Sequence, residues 1–346
     1  MTITIHSISA NDLSRWDDYV NQHESASVYH LSAWKLLIEK TFGHECFYYY
    51  ALNENGNICG VLPSVNLKSK LFGNFIVSMP FFNYGGVIAD TSEIANQLNQ
   101  HLQNQAEINK VSHIQYRESV ERVEHALPVS TSKVNMILQL PETPDALGKL
   151  IGSKRRSQIK RPIKEGVSHK IGKAELLDDF YQVFCENMRD LGTPVYGKSF
   201  FVNILNTFKE SCSICIVYWQ GKPVSAGFLL RYKDRMEIPW ASTLSYANRI
   251  SVNMYLYWQI LSNAIEIGCS EFDFGRSTID EGTYRFKKQW KSEPQQCYWY
   301  HWVPEGGELP NLSPSNAKFD LAIKVWKKLP LPIANTLGPL LVKNLP

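Results

Sequence analysis

The chain has 346 residues, 44% hydrophobic and 20% charged, and this length provides for two hydrophobic cores. The formal net charge of +3 is too small to indicate nucleic-acid binding by itself. The start, MTITIHSISANDL, lacks the apolar centre of a signal peptide, and no apolar run is long enough to cross a bilayer. Seven cysteines, an odd number, are typical of reduced thiols, so we expect a cytoplasmic protein.

In the first half of the chain, apolar periodicity predicts a helix over 27–40 that begins near Ser32. The strands FYYYALN and ICGVLPSVNL follow around the turn Asn55–Gly56, which is a strong hairpin signal. An apolar strand run, FIVSMPFFNYGGVIA, contains a loop at 83–86. A polar helix over 93–110 and the strand SHIQYRE complete this half.

The second half begins at a helix start signal, with Thr143 as N-cap and Pro144 at the first helical position. We expect this helix to run into the basic stretch SKRRSQIKR and to be stopped or kinked by Pro162. Further helices are predicted over 175–191, near 199–208 and over 251–267, with strands at SICIVYW, PVSAGFLLRY and MEIPWAST. The first of these strands holds a CxxC without a second Cys or His pair at metal-site spacing, so we expect no metal.

The stretch 268–290 is the most distinctive part of the sequence. Phe272 and Phe274 alternate with Asp273, which predicts a strand with one buried face. After a polar loop, Tyr284 and Phe286 alternate with Arg285 and Lys287, which predicts a second short extended run. We therefore expect a hairpin-like unit on which acids and cations converge.

The two halves repeat the same order of elements. Gly56 and Gly221 mark the same turn, 165 residues apart, and Ser112 and Ser270 begin the same strand, 158 residues apart. A repeat of this length indicates a domain duplication. We predict two mixed α/β domains at 1–140 and 141–305, followed by a basic and apolar tail at 306–346.

These motifs resemble the FemAB family of the GNAT superfamily, and more closely its members associated with the exosortase/PEP-CTERM exopolysaccharide system. The resemblance covers nearly the whole chain and rests on FNYGG at 82–86, NMRDLGTPVY at 187–196, EIPWAS at 237–242, FDFGRS and GTYRFKKQW within 272–290, and the C-terminal KVWKKLPLPIANTLGPLLVKNLP. It implies an α/β (α+β) fold of two tandem GNAT-like domains, each a mixed β-sheet flanked by helices.

The resemblance also implies site residues. Phe286 and Lys287 match a Phe-Lys pair that matters for transfer from aminoacyl-tRNA, and a lysine there would stabilise a developing oxyanion. Glu237 is the first candidate general base, since burial would raise its pKa into a useful range, and Asp273 is the second. A surface or strand ion pair is the alternative for all three charges. The residues expected to line a substrate cleft are Tyr84, Gly85, Arg189, Thr193, Tyr196, Trp240, Arg276 and Tyr284.

The donor is left open between aminoacyl-tRNA and acyl-CoA, and no bound cofactor is expected. A CoA-binding GNAT domain usually carries a glycine-rich loop after the central strand, whereas LSYANRISVN here contains no glycine. The cations Arg156, Lys160 and Lys164 of the basic stretch would share one side of a helix. They would bind phosphate, whether of tRNA, a nucleotide sugar or a lipid headgroup, or simply form a solvated face.

The expected function is N-acyl or aminoacyl transfer onto an amine of a cell-envelope or exopolysaccharide-related precursor. An acyl-CoA-dependent enzyme and a non-catalytic glycan- or peptide-binding protein are the alternatives. The partners would be a small or lipid-linked precursor and tRNA. The tail either packs against the second domain or makes a peripheral contact with the inner face of the membrane.

Overall fold

The computed structural model describes residues 2–122, 127–308 and 317–345, with the backbone alone for 317–320. The chain divides into two compact units. Unit 1 consists of Met1–Val134, Gln295–Asn311 and Lys343–Pro346, and unit 2 of Asn135–Pro294 and Leu312–Val342. Residues 309–316 of the predicted tail lie outside the described residues.

Strands form one sheet in each unit. In chain order they are β1 Thr4–Ser7, β2 Glu45–Leu52, β3 Ile58–Ser69, β4 Gly73–Val77, β5 Ile88–Ala89, β6 Ile114–Glu118, β7 Val129–Ser130, β8 Lys133–Gln139, β9 Ser168–Gly172, β10 Cys212–Trp219, β11 Lys222–Tyr232, β12 Arg235–Thr243, β13 Glu271–Thr278, β14 Glu293–Gln296 and β15 Tyr298–Trp302.

The two sheets have the same topology. The first has the order β1-β2-β3-β4-β6-β15-β7, with β5 paired to β3, and the second has the order β9-β10-β11-β12-β13-β8-β14. In each sheet one central pair, β4 with β6 or β12 with β13, is parallel. The equivalent hairpins turn at Gly56 and Gly221, which have φ values of 74° and 75°. Left-handed backbone favours glycine, so the sequence marks both turns.

Each sheet also contains a strand from the other half of the chain. Strand β15, which follows every other strand in sequence, pairs with β6 in the sheet of unit 1. Strand β8, which precedes the second half, lies beside β13 in the sheet of unit 2. The Leu140 N–H donates to the Ser270 carbonyl at 2.8 Å, where β8 leads out of this sheet. The exchange completes both sheets.

The helices cover the faces of the sheets. They are α1 Leu13–Gln22, α2 Ala33–Phe42, α3 Ser92–Ile108, α4 Pro144–Lys164, α5 Leu177–Leu191, α6 Lys198–Phe208, α7 Val252–Glu266, α8 Gly282–Lys288, α9 Ala317–Trp326 and α10 Leu331–Val342. In unit 2, Phe180 of α5 and Phe201 of α6 pack on Phe228 of β11. On the opposite face, Tyr257 of α7 stacks on Phe274 of β13. None of the helices in the described part of the chain is long and apolar enough to cross a membrane.

Helix α4 begins as the sequence predicts but breaks at a different residue. The Thr143 hydroxyl accepts the Ala146 N–H at 3.2 Å, and Pro144 occupies the first turn. The break lies at Gly152, whose φ of 81° is non-helical, whereas the helix continues through Pro162 to Lys164. The prediction of a stop or kink at Pro162 is wrong, because glycine can adopt the left-handed backbone that the break requires.

The predicted hairpin over 268–290 is also wrong in its second half. Residues Gly282–Lys288 form α8, with Phe286 in its last turn and Trp290 in the turn that follows it. Both rings contact Tyr257 of α7, at centroid distances of 5.1 and 6.2 Å. The contacts of these two rings with α7 hold α8 and the turn after it in place. The first half is a strand, but Asp273 on its second face is fully buried, because β13 is a central strand.

Candidate functional site

Lys287 is buried in unit 2, with 8% of its surface exposed. Its Nζ donates to the carbonyl oxygens of Gly275 and Arg276 on β13, both at 2.9 Å. Burial lowers the pKa of Lys287 to about 8, while Asp273 and Glu237 oppose the shift and Arg276 adds to it. A lysine ammonium has three N–H donors, so one remains for a ligand when two hold carbonyl groups.

Glu237 and Asp273 lie side by side at the point where two strands separate. Pairing of β12 with β13 covers Arg235–Glu271, Met236–Phe272 and Glu237–Asp273. Both strands continue beyond this last pair, β12 to Thr243 and β13 to Thr278. Paired residues project to the same face, so the two carboxyl groups share a side of the sheet. Both are buried, at 3% and 0% exposure.

The carboxyl and ammonium groups thus form one buried cluster, which we call the Lys287 cluster: Glu237, Asp273 and Lys287. The Asp273 Oδ1 accepts the Gly275 N–H at 2.6 Å, which fixes the strand at the residue whose carbonyl holds Lys287. Buried charges require partners because desolvation disfavours them strongly. The cluster combines a poised cation with two carboxylates, the types of group that stabilise an oxyanion and accept a proton.

The other predicted residues of α8 and β13 lie around this cluster. Phe286 is half-buried against Tyr257 of α7, which restricts α8 and thereby Lys287. Tyr284 is half-buried on the same helix. Arg276 is exposed, and its backbone carbonyl rather than its side chain holds the Lys287 ammonium. The structure therefore brings Arg276 and Lys287 into direct contact through the main chain.

Trp240 and Tyr196 belong to an aromatic cluster in unit 2. Their ring centroids are 6.2 Å apart, and Trp240 also contacts Phe200 and Phe201 edge-on. Trp240 is 7% exposed, whereas Tyr196 is half-buried. Most of this cluster is core packing, and the roles of both residues in substrate binding stay predictions.

Arg189 and Thr193 lie beside the tail helices. The Arg189 side chain pairs with Asp190 at 2.7 Å and donates to the Leu329 carbonyl at 3.1 Å. Thr193 is exposed and follows Gly192, which closes α5 in the left-handed conformation. A substituted Cβ at Gly192 would lie 2.6 Å from Ile323 of α9. The NMRDLGTPVY motif thus supports the packing of the tail on unit 2.

Tyr84 and Gly85 lie in unit 1. Tyr84 is 5% exposed and contacts Tyr29 edge-on. Gly85 has a φ of 153°, and a Cβ there would lie 2.5 Å from Met79. This loop is packed into the interior of unit 1, which accounts for its glycine. A role of either residue in substrate binding stays a prediction.

The three predicted phosphate-binding cations line one cleft in unit 2. Its volume is about 830 Å³, and it is bordered by Arg156, Lys160 and Lys164 of α4 together with Ser251. Ser251 is the N-cap of α7 and has a φ of 63°. A helix N-terminus carries partial positive charge from its N–H groups. Cations and helix terminus therefore face the same cleft, where a phosphate group would be favourable.

A small polar cavity of about 70 Å³ in unit 1 is bordered by His30, Gly86, Glu118 and Arg122 among others. It was not predicted from the sequence. Glu118 is 2% exposed, accepts the Val87 N–H at 3.0 Å and lies 3.4 Å from Arg122 Nη2. Burial lowers the pKa of His30 to about 4, so its neutral ring donates through Nε2 to the Gly86 carbonyl. The adjacent glycines at 85 and 86 are the one feature of the sequence that could have indicated that the backbone here lies close to other groups, such as the Glu118 carboxylate.

Comparison with known proteins identifies the fold and the class of the second unit. Residues 153–288 match the acetyltransferase (GNAT) domain family. A similar curated protein is the UDP-N-acetylmuramoylpentapeptide-lysine N(6)-alanyltransferase of Weissella viridescens, 25% identical over 162 residues. The match covers 45% of this chain and 48% of the relative, so it spans about half the length of that protein.

Solved structures match over most of both chains. FemX has a TM-score of 0.66 at 15% identity and covers 88% of this chain and 98% of its own. A tandem GNAT protein from the clavulanic acid biosynthesis pathway has a TM-score of 0.58 at 10% identity and covers 89% and 100%. The prediction of two tandem GNAT-like domains is confirmed, and unit 2 carries a domain of the acyltransferase class.

Proposed function

We propose that this chain transfers an aminoacyl or other acyl group onto an amine of a cell-envelope precursor. The observation that carries the proposal is the buried Lys287 ammonium, held at the separation of β12 and β13 beside Glu237 and Asp273. The domain match to the acetyltransferase (GNAT) family and the similarity to an alanyltransferase support the reaction class.

In the proposed reaction the acceptor amine, after losing a proton, attacks the carbonyl carbon of the donor ester or thioester. The C–N bond forms as the carbonyl π electrons move to oxygen. The remaining N–H of Lys287 stabilises that oxyanion in a site with little water, where a charged donor is most effective. The oxyanion then collapses as the C–O or C–S bond to the leaving group breaks, and the departing alkoxide or thiolate takes up the second proton, which the positively charged nitrogen releases.

Glu237 is the base that we propose for the acceptor amine. Asp273 already accepts the Gly275 N–H through Oδ1, which favours a positioning role for this carboxylate. Its charge also opposes the loss of the Lys287 proton. The two carboxyl groups would then have different tasks, although they occupy paired positions on neighbouring strands.

The basic cleft supports a donor that carries phosphate. Arg156, Lys160 and Lys164 offer three cations, and charge contacts of this kind dominate binding to a nucleic-acid backbone. Aminoacyl-tRNA is the donor that we test first, because the segment before α7 lacks the glycines of a usual CoA loop. Acyl-CoA is the second candidate, since its pyrophosphate would also suit the N-terminus of α7.

The acceptor that we propose is an amine on a peptidoglycan-type or exopolysaccharide-related precursor, either nucleotide-linked or lipid-linked. The similar alanyltransferase is named for a lysine N(6) of a UDP-linked muramoyl pentapeptide, which is an amine acceptor of this class. A role in the exosortase/PEP-CTERM system rests on the sequence resemblance alone. The reaction would take place in the cytoplasm or at the inner face of the membrane.

The test is transfer of a labelled aminoacyl group from charged tRNA to amine-bearing envelope precursors by the full chain. Lys287→Ala should lower turnover about 100-fold, the scale of losing one oxyanion donor. Lys288→Ala is the matched control, because Lys288 lies at the surface and pairs with Glu293 at 2.9 Å. Full activity of Lys287→Ala would remove this residue from the mechanism.

Calorimetric titration with CoA and acetyl-CoA separates the two donors. Micromolar binding that is weakened by changes at Arg156 and Lys160 would make the protein CoA-dependent. Absence of CoA binding together with transfer from tRNA would favour the aminoacyl donor. Glycan or peptide binding without turnover on any donor, unchanged in Lys287→Ala and Glu237→Gln, would instead indicate a non-catalytic binding protein.

A further inference from the structure

Two helices near the C-terminus expose an unusual amount of aliphatic surface. On α9, Leu321 and Val325 are 66% and 54% exposed. On α10, Ile333, Leu337 and Leu340 are 46%, 42% and 60% exposed. Single exposed aliphatic residues are normal on a protein surface, whereas a group of five on two adjacent helices indicates an interaction site. We call these five residues the outer face.

Packing against unit 2 does not explain the outer face. The loop after α5 packs against the other side of each helix. Gly192 contacts Ile323 of α9, and Val195 contacts Gly338 of α10. Leu321 and Val325 are each two residues from Ile323, which places them on the far side of α9. From the sequence, packing on the second domain and contact with a membrane are alternative roles of the tail. The geometry allows both, because one side of each helix packs against unit 2 and the other side is exposed.

The charge of the same segment favours one kind of partner. Lys324 and Lys328 are exposed at the end of α9 and after it, whereas the side chain of Lys327 lies near Gly192, on the side of α9 that packs against unit 2. The sequence from 321 to 346 contains no Asp or Glu. Interfacial helices combine aliphatic side chains that enter the acyl boundary with lysines that meet anionic headgroups. A protein partner for this face would have to be both apolar and acidic, whereas an anionic membrane has both properties.

We infer that the outer face of α9 and α10 docks the protein on an anionic membrane surface. The binding combines burial of the aliphatic side chains in the headgroup boundary with attraction of Lys324 and Lys328 to anionic lipids. The contact that we infer is peripheral. The inference does not depend on the transfer reaction.

Co-sedimentation of the full chain with vesicles tests this inference. We expect binding to vesicles of phosphatidylglycerol with phosphatidylcholine, and much weaker binding to phosphatidylcholine alone. Lys324→Gln with Lys328→Gln should lower the partition coefficient roughly 30-fold, because each lysine near an anionic surface raises the binding constant severalfold. Leu337→Ser with Leu340→Ser should lower it at least about tenfold.

The matched control is Leu71→Ser with Ile108→Ser, which removes two aliphatic side chains that are each 71% exposed in unit 1. This variant should bind vesicles like the wild type. Equal thermal melting of all variants establishes that the fold is intact. Failure of the wild type to bind anionic vesicles, or equal binding by the Leu337/Leu340 variant, would overturn the inference. Light scattering that shows a dimer lost in that variant, without lipid binding, would assign the face to a second copy of the chain.

Discussion

Lys287→Met replaces the buried ammonium with an apolar side chain of similar length and tests the charge on which the proposed chemistry depends. In the folded protein burial lowers the pKa of Lys287 to about 8, whereas an unfolded lysine titrates at about 10.4. Between these values the unfolded state binds more protons than the folded state, so the free energy of unfolding rises with pH. Below about pH 8 both states are charged and the full destabilisation is present.

The difference of about 2.4 between these two pKa values corresponds to about 3 kcal/mol. The wild type should therefore gain about 2–3 kcal/mol from this group as the pH rises from about 7 to about 10. The methionine variant lacks the group and should not show this gain. At pH 7 its stability reflects two opposed effects: the removed charge stabilises it, while the carbonyl groups of Gly275 and Arg276 lose a donor.

Urea denaturation followed by tryptophan fluorescence at several pH values measures this difference. Comparing the two proteins cancels the contributions of the other titrating groups, and Lys288→Met controls for loss of a neighbouring surface lysine. The wild type and the Lys288 variant should show the same pH dependence, and the Lys287 variant a flatter one. Parallel curves for all three proteins would refute the reasoning that Lys287 is buried as a destabilised cation.

Three further substitutions test other parts of the structure. Gly86→Ala should cost about 1–3 kcal/mol by denaturation, because its Cβ would lie 2.2 Å from the Glu118 carboxylate, whereas Gly282→Ala has open space and should be nearly neutral. Phe201→Ala should cost about 3–5 kcal/mol, since the ring is fully buried, and a loss below about 1 kcal/mol would contradict this packing. Gly152→Ala, at a φ of 81°, should cost about 1 kcal/mol in thermal melts, and no loss would argue against the break in α4.

Local signals in the sequence predicted those elements whose ends are fixed by single residues. Thr143 caps α4 as expected, and the glycines at 56 and 221 turn the equivalent hairpins. The segment around Phe286 misled because its alternation fits a short strand as well as a helix. The contact that favours the helix is with Tyr257, which lies almost thirty positions earlier in the chain. No local pattern contains this contact.

The Lys287 cluster could be predicted only in part. Resemblance indicated Lys287, Glu237 and Asp273, but their grouping depends on the register of β12 against β13. The burial of Asp273 was missed because β13 was interpreted as having one solvent-facing side. The exchange of β8 and β15 could not be inferred at all, since pairing between distant strands leaves no periodic signal in either strand.

The exchanged strands also bear on when the protein can fold during synthesis. Strand β15 ends at Trp302, so the sheet of the first unit lacks a member until more than 300 residues have been made. Domains usually fold in turn as they leave the ribosome. Here one edge of β6 is unpaired until β15 has been made, and unpaired strand edges can pair with other chains. A piece of the chain that ends before β15 would therefore leave this edge of β6 unpaired and open to aggregation.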